Sequence, residues 1–276
     1  MPITYPEIFS LAFIKYAIVG SLLASVLCAM VGTYIVTRRM VITGGGIAHA
    51  SLGGVGLGAY LGISPTLGAI GFALLSGLGI DAATQRWNVR EDSAIAIFWT
   101  FGMSLGILFA YMTPGFMTDL PNYLFGDILS ISAANLVWLT LLMLACSAVF
   151  FFWIDNIILV AYDPNFARTL RVPVRAIEIT LLVLTVLTIV ACIQTVGIVL
   201  VISLLSVPQT AALLFTRTFR QTIVLSAALS FAGCLGGLLL SVVFDVPSGA
   251  CIILVTIAIY AVLRAIKSVY LRLKRV

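Results

Sequence analysis

His49 is the only histidine of the chain, and it follows an arginine pair and three glycines in Arg38-Arg39-Met40-Val41-Ile42-Thr43-Gly44-Gly45-Gly46-Ile47-Ala48-His49. Imidazole suits zinc, iron, nickel and copper. An ionisable group in an apolar segment is costly unless it faces a polar pathway or a partner. One reading is therefore a metal-accepting or gating group on a translocation path. The other is a histidine that hydrogen-bonds a neighbouring helix at a tight crossing. A single imidazole cannot complete a metal site, since zinc takes about four ligands. A symmetric dimer would bring two together if they face its axis.

The residues around His49 say how it would be carried. Gly46, Ala50, Gly54 and Gly58 recur every four residues and form one stripe of a helix. Small residues at that spacing let helix backbones approach closely. A neighbouring stripe holds Gly45, His49 and Gly53, so the imidazole is expected to project between two bare backbone positions.

The wider chain is of membrane character. Of its 276 residues 62% are hydrophobic and 9% charged, against roughly 25% charged in soluble domains. That leaves no room for a soluble catalytic domain. The start, Met1 to Ser10, has no basic stretch of the kind a cleavable signal carries. The five cysteines (Cys28, Cys146, Cys192, Cys234, Cys251) are scattered in apolar runs, and read as small hydrophobes.

Apolar runs long enough to cross a bilayer number about nine, near 8–37, 44–62, 64–85, 93–113, 132–159, 174–195, 197–216, 221–244 and 248–268. Arg38, Arg39, Arg86, Arg90, Arg168, Arg171, Arg175, Arg217, Arg220, Arg264, Lys267, Arg272, Lys274 and Arg275 then all fall on one side, leaving only Lys15 elsewhere. Short basic loops stay in the cytoplasm, so the expectation is an all-α integral membrane protein of one domain, residues 1–276, with its N-terminus outside and its C-terminus cytoplasmic. The net charge of +5 is accounted for by this placement and does not point to nucleic acid.

Three further segments carry signals. The cytoplasmic connection Ala161 to Pro173 predicts a short helix, capped by Asp163 with Pro164 at its first position. It would carry Phe166, Ala167 and Leu170 on one face with Arg168 and Arg171 nearby, as a docking element or a membrane-surface helix. The seventh run contains Ser203, Ser206, Pro208, Gln209 and Thr210. Pro208 should bend it and free a carbonyl, which hydroxyl or amide side chains can satisfy. On the outer side, Asp245-Val246-Pro247-Ser248-Gly249 and the loop Asp119 to Ser130, with Tyr123, Phe125, Gly126 and Asp127, could meet a cation or an external partner.

Together these segments resemble the metal-ion permease family of ABC importers over roughly residues 10–268. Arg38-Arg39-Met40 to Gly54 is similar to that family's element leading into a histidine-alanine motif. Tyr162-Asp163 to Ala167 resembles its cytoplasmic coupling helix, Val196 through Pro208 to Ala212 its glycine-to-proline span, and Asp245 to Gly249 its aspartate-proline-glycine turn.

The resemblance implies a fold like that of vitamin B12 importer permeases, with two permease subunits (a homodimer, or a pair with a related permease) around a central path in a prokaryotic cytoplasmic membrane. It implies a pair of ATPase subunits beneath and an extracellular or periplasmic metal-binding protein. No cofactor would be permanently bound: the cargo is a divalent metal, and ATP sits on the partner. His49, Gly45, Gly53 and Asp245 would line the substrate pathway, with His49 the candidate metal ligand. Tyr162, Asp163, Phe166, Ala167, Arg168 and Leu170 would couple to the ATPase. Consistent with this, the lysines at 15, 267 and 274 make no Gly-x-x-x-x-Gly-Lys-Ser/Thr phosphate loop.

Some positions depart from the family pattern. Gly45 stands where an aspartate is common and Gly53 where a proline is usual, while Asn165 and Arg171 replace a frequent acid and glycine. Two imidazoles without carboxylates suit a hard cation such as manganese poorly, so the expectation shifts towards iron, zinc or a metal chelate. An ion-gradient secondary transporter would need carboxylates near the bilayer centre, yet Asp81, Asp155, Glu178 and Asp245 all fall near span ends. An intramembrane enzyme would need a catalytic set, and no acid stands at helical spacing from His49.

Overall fold

The computed structural model describes residues 12–115, 123–124, 126 and 128–274, and all of its regular elements are helices. Asp119, Phe125 and Asp127 of the loop expected on the outer side, and Arg275, lie outside the described residues. In chain order the helices are α1 (Ala12–Thr37), α2 (Val41–Tyr60), α3 (Pro65–Gln85), α4 (Glu91–Met112), α5 (Ala133–Tyr162), α6 (Pro164–Thr169), α7 (Val174–Val196), α8 (Ile198–Leu204), α9 (Val207–Ala212), α10 (Phe219–Phe244) and α11 (Ser248–Leu273). A short 3-10 turn, Ile128–Ser130, precedes α5.

Seven of these helices, α1, α3, α4, α5, α7, α10 and α11, are long and apolar enough to cross a membrane. The two remaining runs differ from that pattern for readable reasons. Helix α2 is continuous over 20 residues, but its glycines, serine and histidine make it less apolar than the others. The seventh run is broken into α8 and α9 around Leu205 and Ser206.

That break has a local cause. Pro208 sits in the first turn of α9, where its missing N–H goes unneeded. The carbonyl it cannot serve, that of Leu204, accepts instead from Gln209 Nε2 at 2.9 Å. The same amide reaches the Cys28 carbonyl of α1 at 2.8 Å, so the broken segment is fastened to α1 at its bend. Ser206 Oγ donates to the Ile202 carbonyl at 2.8 Å. The α7–α8 junction is Gly197 alone, at φ 79.

The core runs along α1, α2, α7 and α8, with Leu27, Ile47, Leu52, Ile189, Ile193 and Leu200 fully buried. By contrast α5 turns Leu141, Leu144, Phe151 and Phe152 outward, the apolar exterior expected of a helix facing lipid. All five cysteines are free and buried.

Candidate translocation helix and docking face

Helix α2 is clamped between α3 and α4 by contacts that only glycine permits. A Cβ on Gly54 would stand 2.1 Å from the Gly68 carbonyl oxygen of α3. One on Gly56 would stand 2.4 Å from the Gly106 oxygen of α4, and one on Gly102 of α4 would lie 2.6 Å from the Ala50 backbone. The close approach expected from the small-residue stripe is present, and it involves two neighbours rather than one.

His49 lies in the middle of α2, half-buried, with its ring stacked on Trp99 of α4 at 4.5 Å between centroids and 6° between planes. Trp99 is itself fixed, since its indole N–H donates to Met103 Sδ at 2.9 Å. The imidazole Nδ1 is enclosed and has no hydrogen-bond partner among the described residues. A nitrogen left this way invites a ligand, a water or a partner chain.

The two flanking glycines are not equivalent. In front of Gly45 an added Cβ would meet only the Ile202 side chain, at 3.8 Å, which is ordinary contact. At Gly53 it would strike the Gly102 oxygen at 2.8 Å, with Phe72 also close. The space beside His49 is therefore available towards Gly45 and filled by the α4 backbone towards Gly53. Among the described residues no group of three or more His, Cys, Asp or Glu side chains could hold a metal within one chain.

Asp245 is not brought to this place. It ends α10 in the left-handed conformation, φ 52 and ψ 49, and is exposed. The turn is closed by Ser241 Oγ donating to the Val246 carbonyl at 2.6 Å. Of the loop expected on the outer side, Gly126 packs against the Val196–Gly197 junction, where a Cβ would come within 2.1 Å of the Val196 carbonyl carbon.

The expected docking helix is α6, which starts at Pro164 as read and ends at Thr169; Ala161 and Tyr162 complete α5. Asp163 caps it as expected, its Oδ1 accepting from the backbone N–H groups of Asn165 (3.0 Å) and Phe166 (2.9 Å). Arg168 donates to Asn165 Oδ1 at 3.0 Å. The expected common face of Phe166, Ala167 and Leu170 is split. Ala167 is fully buried and seats the helix, whereas Tyr162, Phe166 and Leu170 are 62%, 52% and 54% exposed. Arg171, at φ 58, ends the turn where the backbone favours glycine.

At the same end of the bundle lies a set of charges that spacing did not reveal. Arg38 donates to Glu178 Oε1 of α7 at 3.0 Å and to the Val160 carbonyl of α5 at 3.2 Å. Arg175 of α7 grips Asp81 of α3 with both terminal nitrogens. Thr43 of α2 donates to Glu91 of α4 at 3.0 Å. These groups border a cavity of about 250 Å³. Charges near span ends were visible in the sequence, but not which ones pair.

The profile of the ABC 3 transport family matches residues 10–267. The chain belongs to that family. Among the relatives of this ABC 3 chain, it is 33% identical to the manganese transport system membrane protein MntC of Halalkalibacterium halodurans, over 93% of this chain and 88% of that one. It is 32% identical to the chelated iron transport system membrane protein YfeD of Yersinia pestis, over 93% and 86%. Its fold is similar to a chain of PsaBC from Streptococcus pneumoniae, solved in complex with a Fab, with TM-score 0.88, 27% identity and 98% of each chain covered.

Proposed function

We propose that the chain is the transmembrane permease subunit of an ATP-driven ABC importer for a divalent metal or a metal chelate. The observation that carries the reading is α6: a capped six-residue helix, seated by Ala167, that presents Phe166 and Leu170 outward beside Tyr162. Such a face suits a soluble ATPase, and the membership in the ABC 3 transport family supports it. Two copies would enclose a path passing the two His49 side chains, with nine crossings each, the N-terminus outside and α6 cytoplasmic. A binding protein would deliver cargo at the outer mouth, and ATP would be hydrolysed on a separate chain. The setting is a prokaryotic cytoplasmic membrane.

Relatives are named for manganese and for chelated iron, so the cargo is a question for the site. With no carboxylate at position 45 and free space there, iron, zinc or a chelate suits the path better than bare manganese. The ion-gradient alternative is disfavoured because Asp81 and Glu178 lie near helix ends and are engaged by Arg175 and Arg38.

The test is cellular uptake of zinc, manganese and iron by the assembled transporter, comparing wild type with His49→Ala at matched expression. Selective loss of one metal, with the ATPase still bound, supports the reading. Unchanged uptake of all three removes His49 from the path. In parallel, Gly45→Asp is expected to shift preference towards manganese, and an unchanged preference would refute the chelate argument.

A further inference from the structure

Arg38 holds both helices that flank α6. Its guanidinium bonds the Val160 carbonyl in the last turn of α5, just before α6, and Glu178 in the first turns of α7, just after it. The connectors on this route are short and stiff. Only residues 170–173 separate α6 from α7, and they include Arg171 at φ 58 and Pro173. Only residues 38–40 separate α1 from α2, with Arg39 at φ 60 and Met40 N–H bonded back to the Ile35 carbonyl at 2.8 Å. From Val41 a continuous helix runs eight residues to His49, a distance of about 12 Å. A displacement of α6 thus meets Arg38 from two sides, and Arg38 lies at the root of the helix that carries His49.

The second ion pair runs parallel to the first. Arg175 and Glu178 are three residues apart on α7, so one helix face reaches Asp81 of α3 and Arg38 together. Helices α2 and α3 are locked to each other at Gly54 and Gly68, so both pairs act on one rigid α2–α3 unit. The adjoining cavity of about 250 Å³ leaves room for these side chains to move without opening the packed core.

We propose that Arg38–Glu178 and Asp81–Arg175 form the relay that transmits movement of α6 to the His49 helix, with Arg38 as its central positioning residue. The proposal rests on the permease reading above. A relay of this kind is distinguishable from a merely structural brace, because loosening it separates ATP hydrolysis from transport while leaving assembly intact.

The experiment places the permease with its ATPase and binding protein in proteoliposomes, and measures uptake of zinc, manganese and iron(II) salts alongside ATP hydrolysis in the same vesicles. Absence of ATP-dependent uptake by wild type, whatever the variants do, would overturn the permease reading itself. Given a coupled wild type, Arg38→Lys and Glu178→Gln are expected to lower metal moved per ATP by about fivefold, within the range of substitutions in coupling networks. Lysine keeps the charge but lacks the fork that spans two acceptors. Asp81→Arg should uncouple similarly, and adding Arg175→Asp should restore the ratio. A ratio unchanged in the single variants, or a double variant no better than Asp81→Arg alone, would overturn the relay. If Glu178→Gln does not assemble, the Asp81/Arg175 exchange decides.

Discussion

Over its Gly53–Gly58 half, α2 meets α3 and α4 backbone to backbone, whereas at its Thr43 end it borders a charged cavity. The first contact has no adjustable part. A carbonyl oxygen stands where a side chain would begin, and neither helix can turn without colliding or opening a gap. The second is built from side chains, two arginines and three carboxylates, that border open space in which their rotamers can change. One helix is therefore gripped at one end and, if the proposed relay holds, steered at the other. On the proposed permease reading both are needed, because a helix packed like Gly54 along its whole length would not respond to α6, and one loose along its whole length would not hold His49 against Trp99.

Two substitutions test that difference directly, and a third tests the connector after α6. The largest effect is expected from Gly54→Ala, since its Cβ would fall 2.1 Å from the Gly68 oxygen. Overpacking of this kind costs about 1–3 kcal/mol or more, read as a lowered thermal midpoint and a loss of monodisperse protein in detergent. If Gly54→Ala were neutral, α2 and α3 could slide past each other and the gripped end would not exist. A smaller change of opposite sign is expected outside α2, in the connector after α6, from Arg171→Gly. Removing a side chain from the left-handed conformation should stabilise by about 1 kcal/mol, visible as a raised midpoint in the same assay. The smallest effect belongs to Gly45→Ala, where only Ile202 comes within ordinary contact. With room for the methyl group, its midpoint should rise by the roughly 0.5–1 kcal/mol equivalent that alanine gains over glycine inside a helix, and a large loss there would extend the gripped region past His49.

The parts of the molecule that were legible in the sequence are those set by local chemistry. The stripe Gly46, Ala50, Gly54, Gly58 announced close helix crossings, and Asp163-Pro164 announced the start of α6. Pro208 and Gln209 announced both the break and its repair, since the freed Leu204 carbonyl lies four residues before the proline. The frequent glycine at the position of Arg171 also finds its reason in the backbone there.

What escaped was set by packing between distant elements. Nothing near Gly53 says that Gly102 will close over it. Ala167 and Phe166 are neighbours of similar apolar character, and only the seat on the bundle decides that one turns inward. Arg38 and Glu178 are 140 positions apart, and Arg175 and Asp81 are 94. Which acid each arginine finds depends on the register of α1, α3 and α7, and periodicity within one helix carries no record of that register.

The Gln209 amide has a consequence for how this chain can vary. It occupies the space a side chain at position 32 would need, since a Cβ on Gly32 would lie 2.6 Å from Gln209 Nε2 and 2.7 Å from the Leu205 oxygen. Residues 32, 208 and 209 are thus one unit of inheritance. A larger residue at 32 requires a shorter one at 209. A shorter one at 209 in turn leaves the Leu204 carbonyl unserved, unless the proline is lost as well. Genes that drift at one of these positions are expected to have drifted at all three.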